Sequence, residues 1–331
     1  MNILVTGGGG FLGRHIVARL QERGHTVRIL ARSTYPALAA QGVDCHRGDL
    51  ADADAVHTAC ADIDAVFHVA AKAGVWGSQA AFHQANVTGT ENVLAACRAR
   101  HIRYLVHTST PSVVYNGQPL ANADESLPLT QSCPCPYPRS KAAAEKRVLA
   151  ANSGTLRTTA LRPHLIWGAG DTQLVPRVVA QARTGRLRIV GEGKNRVDLT
   201  HVANAAHAHL LALDSLIANG PAAGRAYFLS DHAPVVLWDW INSLLRALDI
   251  PPVTRRIPLP AARALGACAE ALWSVLPLPG EPPMTRFVAV ELAKDHWFNI
   301  RAAQRDLGYL PVISPQAGLE ELLSSLRTAG K

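Results

Sequence analysis

Aromatic residues are scarce in this 331-residue sequence, at 5%, and charged residues make up only 18%. With hydrophobic residues at 48%, that balance excludes a disordered, self-repelling chain and points to helices and sheet packed through Ala, Leu and Val. No apolar run reaches the ~20 residues that cross a bilayer as a helix. The nearest, Ala261 to Pro279, is interrupted by Arg263 and Glu270 and reads as an amphipathic cap over a greasy substrate. The six cysteines, Cys45, Cys60, Cys97, Cys133, Cys135 and Cys268, lack metal-binding spacing, and no secretory signal precedes them. Reduced thiols, no metal and a cytoplasmic location are therefore expected. Although the formal charge is +8, no dense basic run with interleaved aromatics exists, which argues against nucleic acid. A modest basic excess suits a phosphate-rich cofactor or a carboxylate substrate. Internal repeats and low-complexity tracts are also missing.

Apolar segments come instead in short alternating lengths. Asn2 to Gly7 is a β-rich run feeding into Gly8, Gly9 and Gly10; Phe11, Leu12, Ile16, Val17 and Leu20 then share one helix face, with Gly24 at the expected C-cap, and Thr26 to Leu30 is a second strand. Strand, glycine turn, helix and strand make a βαβ unit with parallel strands. The alternation continues through Val43 to Gly48, Ala65 to Ala71, a long helix from Phe82 to Arg98, Tyr104 to Thr108, a helix after Tyr137 and a strand from Thr158 to Leu165. Apolar strands taking turns with helices predict an α/β fold whose doubly wound parallel sheet is covered on both faces. After Trp167 the pattern loosens, with Pro251, Pro252, Pro258, Pro260, Pro277, Pro279, Pro282 and Pro283, which predicts a second, smaller, mostly helical region. The expected division is a nucleotide-binding domain over 1–166, with 196–230 returning to it, and a substrate-binding region over 167–195 and 231–331.

Gly7, Gly10 and Gly13 close the first strand and open the first helix. Glycine there permits a tight turn and lets backbone approach a pyrophosphate, whose charge is met by the positive helix N-terminus. An NAD site has an acidic residue at the end of the second strand; this sequence has Ala31-Arg32-Ser33. A guanidinium fork and a hydroxyl suit a 2′-phosphate, so NADP(H) is expected, the plain alternative for Arg32 being a solvated loop residue. Asp49 and Leu50, ending the third strand, are placed to meet an adenine, or else Asp49 is a helix N-cap. Tyr137 and Lys141 lie four residues apart on one helix face, with Pro138 in its first turn. An ammonium favours a neighbouring phenolate, so Lys141 is expected to lower the Tyr137 pKa and make it an acid or base near neutrality. The hydroxyls of Thr108, Ser109 and Thr110 stand at the end of the fifth strand.

With these motifs in this order, the chain resembles the extended short-chain dehydrogenase/reductases over essentially its whole length, and within them the 3β-hydroxysteroid dehydrogenase-like branch. The resemblance implies a Rossmann fold, a hydroxyl that holds the substrate oxygen, a Tyr that transfers the proton and a Lys that also binds the nicotinamide ribose. Lining up Thr108 to Val113 with that branch's hydroxyl segment puts the first role on Thr110, with Ser109 or Ser112 as substitutes, and the others on Tyr137 and Lys141. It also implies cofactor contacts from Phe11, Leu12 and Ala70. The stretches 71–78, 84–90 and 280–287 are similar to those of branch members that reduce 2-alkyl-3-oxoalkanoates in bacterial long-chain olefin biosynthesis. The stretches 161–165, 172–176 and 193–198 are similar also to sterol 4-carboxylate 3-dehydrogenases. This implies NADPH-dependent reduction of a long-chain 2-alkyl-3-keto acid, with sterol dehydrogenation as the alternative. Relatives of this kind are homodimers and work beside a β-lactone synthetase and a decarboxylase.

Several residues keep two readings. His164 either contacts the nicotinamide or is a satisfied core histidine; Lys72 either lies along the cofactor or substrate carboxylate or is a loop lysine. Trp167, Trp238, Trp240, Trp273 and Trp297 pack a core or line an apolar pocket. A nucleotide-sugar epimerase shares the Tyr and Lys but retains NAD; Arg32 and the apolar C-terminal region count against it.

Overall fold

The computed structural model describes residues 1–276 and 278–329; Pro277, Gly330 and Lys331 lie outside them. Seven strands form one parallel sheet: β1 (Asn2–Thr6), β2 (Thr26–Ala31), β3 (Asp44–Arg47), β4 (Ala65–His68), β5 (Tyr104–Thr108), β6 (Arg157–Pro163) and β7 (Ala226–Leu229). Their spatial order is β3-β2-β1-β4-β5-β6-β7. The order reverses between β1 and β4, which leaves a crevice at the carboxyl ends of those strands where ligands of such sheets bind.

Both faces of the sheet are covered, and the strand period shows how. Ile3 and Val5 of β1 join a core with helices Phe11–Glu22 and Val202–Ile217, whereas Leu4 joins the opposite core with helices Ala53–Ala59 and Gly89–Ala99. Helix Pro136–Ala150 packs on that second side through Val148. A buried ion pair ties it to the sheet: Arg162 on β6 donates to Glu145 from Nε at 3.0 Å and from a terminal nitrogen at 2.5 Å. The Arg162 guanidinium also lies 4.9 Å from the ring centre of Phe228 on β7.

Two elements differ from the expectation. β4 stops at His68 instead of reaching Ala71, because Ala70 folds back onto Gly7 with its N–H donating to Thr6 Oγ1 at 3.2 Å. The helix expected over 82–98 is instead Gln79–His83, a π turn over Gln84–Thr88, and Gly89–Ala99. The wider turn aims Asn86 at the loop after β4, where its amide brackets Lys72, accepting from its N–H at 2.7 Å and donating to its carbonyl at 3.0 Å.

The chain leaves the sheet after β6 and returns with helix Val202–Ile217 and β7. Beyond it lies a region of helices with a small sheet of short strands, in the order Val235–Val236, Arg196–Val197, His296–Phe298 and Leu120–Ala123. Helix Leu259–Val275 crosses this region against Arg286–Glu291, with Gly266 so close to the backbone of Thr285 and Arg286 that a Cβ would meet them at 2.7–2.8 Å. No helix among the described residues is long and apolar enough to cross a membrane.

Breaking the buried pair should show what it supports. Glu145→Ala leaves a buried guanidinium without its partner and is expected to lower unfolding stability by about 3–5 kcal/mol in chemical denaturation; a loss below about 1 kcal/mol, the range of exposed pairs, would mean that the pair does not anchor the helix.

Candidate active site

At the crevice, the glycine turn is built by close contact. Gly7 has φ +70°, and its N–H donates to Leu30 O at 2.9 Å, joining the turn to β2. A Cβ on Gly7 would meet Ala70 Cα at 2.8 Å, and one on Gly13 would lie 2.2 Å from Gly7 O; neither position holds a side chain. Helix Phe11–Glu22 starts from Gly10 with no side-chain cap and no acid in its first turn, so its first N–H groups and its positive end face the crevice unneutralised. Phe11 lies edge-on to His15 at 5.8 Å between ring centres, while Leu12 is buried in the core under the sheet.

Arg32 and Ser33 are exposed just past β2, and the Arg32 side chain makes no ion pair among the described residues. Arg47 on β3 donates from Nε to Arg32 O at 3.2 Å, so a second guanidinium borders the same edge. Asp49 accepts from Ala51 N at 2.9 Å in a turn, and the N-cap of the next helix is Asp52. Leu50 packs under Gly89, and its carbonyl accepts from Asn92. A pinched glycine turn, an open helix N-terminus and exposed cations, with no acid at the end of β2, fit a phosphorylated dinucleotide.

The hydroxyl end of β5 faces helix Pro136–Ala150. Thr110 caps the short turn Pro111–Val114, accepting from Ser112 N at 3.3 Å and pairing with Ser112 Oγ at 3.1 Å. Thr110 is close enough to Tyr137 for its hydroxyl to act on the phenol, whereas Ser109 is buried and its Oγ has no partner among the described residues. Of the hydroxyls considered, Thr110 thus stands directly at the phenol.

Lys141 is buried, and its amine donates to Thr108 O at 2.7 Å and to His107 Nε2 at 3.2 Å. Burial pushes its pKa down to about 7, with the Glu145 charge opposing. The expected effect on the tyrosine is not found: burial pushes Tyr137 up to about 12, with the Thr110 hydrogen bond opposing and no contribution from Lys141. Four-residue spacing puts both on one helix face, yet the lysine stem carries its amine to the end of β5, onto Thr108 O and His107. Tyr137 therefore rests with its proton on, as a donor.

Around the lysine lies a set of buried histidines, His68, His107 and His209. His107 presents the Nε2 lone pair to Lys141, so its proton is on Nδ1. His68, at the end of β4, lies 5.1 Å from His107 between ring centres. It binds Thr6 Oγ1 and Thr90 Oγ1, both at 2.9 Å, and Thr90 in turn donates to Asn86 O at 2.6 Å. His209 donates from Nδ1 to Ala205 O at 2.7 Å and accepts from Thr108 Oγ1 at 2.8 Å. Burial lowers His68 to about 3, His209 to about 4 and His107 well below its ordinary value, so the three rings are neutral beside the amine. The only sequence signal is a histidine at the carboxyl end of each of two adjacent strands.

Other candidates divide. His164 points into the second region, its Nε2 2.6 Å from His296 Nδ1 and its ring against Phe298. Lys72 is exposed, with Nζ 5.2 Å from the ring centre of Phe82, whose ring is 6.4 Å from that of Tyr137. Trp167 and Trp238 are core residues bonded to Asp231 and Leu292 O. Cys133 and Cys135 are buried beside Tyr137 with Val75, Tyr115, Phe287 and Val288, forming an apolar wall; burial raises the thiols to about 12 and about 11, so they stay protonated.

Residues 4–261 match the 3-beta hydroxysteroid dehydrogenase/isomerase family. The chain is 52% identical to a 2-alkyl-3-oxoalkanoate reductase of Stenotrophomonas maltophilia, over 98% of this chain and 99% of that one. It is 44% identical to a 2-alkyl-3-oxoalkanoate reductase of Shewanella oneidensis, over 97% of this chain and 85% of that one. Among solved structures, a dTDP-glucose 4,6-dehydratase double mutant from Streptomyces venezuelae with NAD and DAU bound superposes with a TM-score of 0.77 at 24% identity, over 99% of this chain and 97% of that one; this likeness speaks to the fold. A parallel doubly wound sheet, a glycine turn at its switch point and a tyrosine–lysine helix beside it accompany the sequence match, and the chain belongs to the 3-beta hydroxysteroid dehydrogenase/isomerase family.

Proposed function

We propose that this chain reduces the 3-keto group of a 2-alkyl-3-oxoalkanoate to the 3-hydroxy acid, using NADPH. The observation that carries the reading is a phenol with its proton on, Tyr137, with the Thr110 hydroxyl acting on it and an apolar wall packed against it beside the cofactor crevice. Similarity to two reductases of that name supports the substrate. When bound, the nicotinamide supplies the hydride. The turn from Gly7 to Gly13 and the helix N-terminus would hold the pyrophosphate, Arg32 and Ser33 the 2′-phosphate, and Lys141 the nicotinamide ribose. Thr110 and Tyr137 donate hydrogen bonds to the keto oxygen, and these strengthen as it becomes an alkoxide. Tyr137 then gives that oxygen its proton, which a group protonated at rest is set to do. The same reading includes a cytoplasmic homodimer acting beside a β-lactone synthetase and a decarboxylase.

Tyr137→Phe is expected to lower turnover about 10²–10⁴-fold, the usual contribution of acid–base catalysis, while NADPH binding by fluorescence titration stays near wild type; turnover close to wild type would remove Tyr137 from the mechanism. Thr110→Val should follow it in direction and Ser109→Ala should not, a contrast that steady-state rates resolve. Arg32→Glu should cut kcat/KM for NADPH about tenfold or more while NADH is spared, as expected when a charge-assisted fork to phosphate is lost; an unchanged NADPH-to-NADH ratio would place the phosphate elsewhere.

A further inference from the structure

A cavity of about 200 Å³ opens between the segment after the Pro111–Val114 turn and helices Leu259–Val275 and Arg286–Glu291, lined by Tyr115, Asn116, Cys133, Arg263, Arg286 and Val290 among others. Arg263, Arg286 and Asn116 bring donors to its lining, beside the hydroxyls of Tyr115 and Ser132. Arg286 uses Nε and its backbone N–H on the two oxygens of Glu270, at 2.6 and 2.7 Å, which fixes the guanidinium and leaves its terminal nitrogens without a partner among the described residues. Arg263 makes no ion pair or hydrogen bond among them, and its charge acts on Tyr115 against that of Glu291, which lies outside the lining. Asn116 spends its carbonyl on Gln118 N at 2.9 Å, so its amide protons remain. Gly117 O, an acceptor at the rim, is already taken by Lys294 at 2.6 Å. No carboxylate lines the space, and two guanidiniums face it, an arrangement that suits a planar, bidentate anion.

The cavity shares side chains with the packed cluster that includes Tyr137. Tyr115 and Cys133 belong to the same packed cluster as Tyr137 and Phe287, and the Tyr115 and Phe287 rings are 5.0 Å apart. We propose that this cavity is the subsite for the substrate carboxylate, held by Arg263 and Arg286. The assignment rests on the reductase reading and deepens it: a 3-keto acid carries its anion two bonds from the reacting carbon, so a proton donor with an anion pocket at its side selects acids over esters or simple ketones of the same chain length.

Oxidation of a 2-alkyl-3-hydroxyalkanoate and of its methyl ester by NADP tests this in wild type, Arg263→Gln, Arg263→Lys, Arg286→Gln and Lys72→Gln. The acid-to-ester ratio of kcat/KM is expected to fall about 10–100-fold in Arg263→Gln and Arg286→Gln, mainly through KM for the acid, with partial return in Arg263→Lys, as for loss of a hydrogen bond to a charged group. An unchanged ratio in both Gln variants, or a loss found in Lys72→Gln instead, overturns the assignment. Arg263 is exposed, so its variants test the subsite even where Arg286→Gln, freeing Glu270, fails to fold. Wild type that turns over acid and ester alike overturns the subsite alone; wild type that binds NADPH but oxidises neither overturns the reductase reading with it.

Discussion

A lysine amine taken out of water sets the terms for the rest of this site. Desolvation disfavours the ammonium, so Lys141 is pushed to about 7 and needs compensation from every direction. Its own helix supplies Glu145 one turn on, and Glu145 is held by Arg162, which lies against Phe228. The end of β5 supplies Thr108 O and a neutral His107. A further unpaired cation here would be costly, and His68, His107 and His209 are accordingly held neutral by burial. Helix, two strands and the histidine set are thus registered on one nitrogen, and Tyr137 and Thr110 take their places from that register.

What was legible in the sequence follows from how local each cause is. The strand, glycine turn and helix at the start are decided within about twenty residues, and β5 falls on Tyr104–Thr108 as the apolar run indicates. The π turn was hidden, because it exists to bring Asn86 to Lys72 across a loop. The Tyr137–Lys141 spacing disclosed a shared face but not the destination of a flexible four-carbon stem, so it did not foretell that burial, and not the ammonium, sets the direction of the phenol's shift. A lone histidine on an apolar strand reads as core packing, and nothing local in His68 or His107 announces that adjacent strands bring their rings together. The two-residue strands of the second region, paired across distant segments such as Val197 and His296, are equally invisible to periodicity.

The division of labour is also spatial. Backbone groups and exposed cations gather at the glycine turn and the edge of β2 and β3, where a charged, phosphate-bearing ligand is met with little burial cost. The phenol sits at the opposite side against sulfur, aliphatic and aromatic groups, where a proton donor works in a low dielectric and pre-placed hydrogen bonds act strongly. An apolar chain with one anion and one ketone is the substrate shape this asymmetry serves.

The central claim, reduction of a branched keto acid with NADPH, is tested most directly by NADP reduction in the purified protein, with a racemic 2-alkyl-3-hydroxyalkanoic acid run beside a 4-carboxysterol, and with NAD run beside NADP. The account predicts turnover of the alkyl acid with NADP preferred. Turnover confined to the sterol, or an NAD preference with the alkyl acid inert, would contradict it.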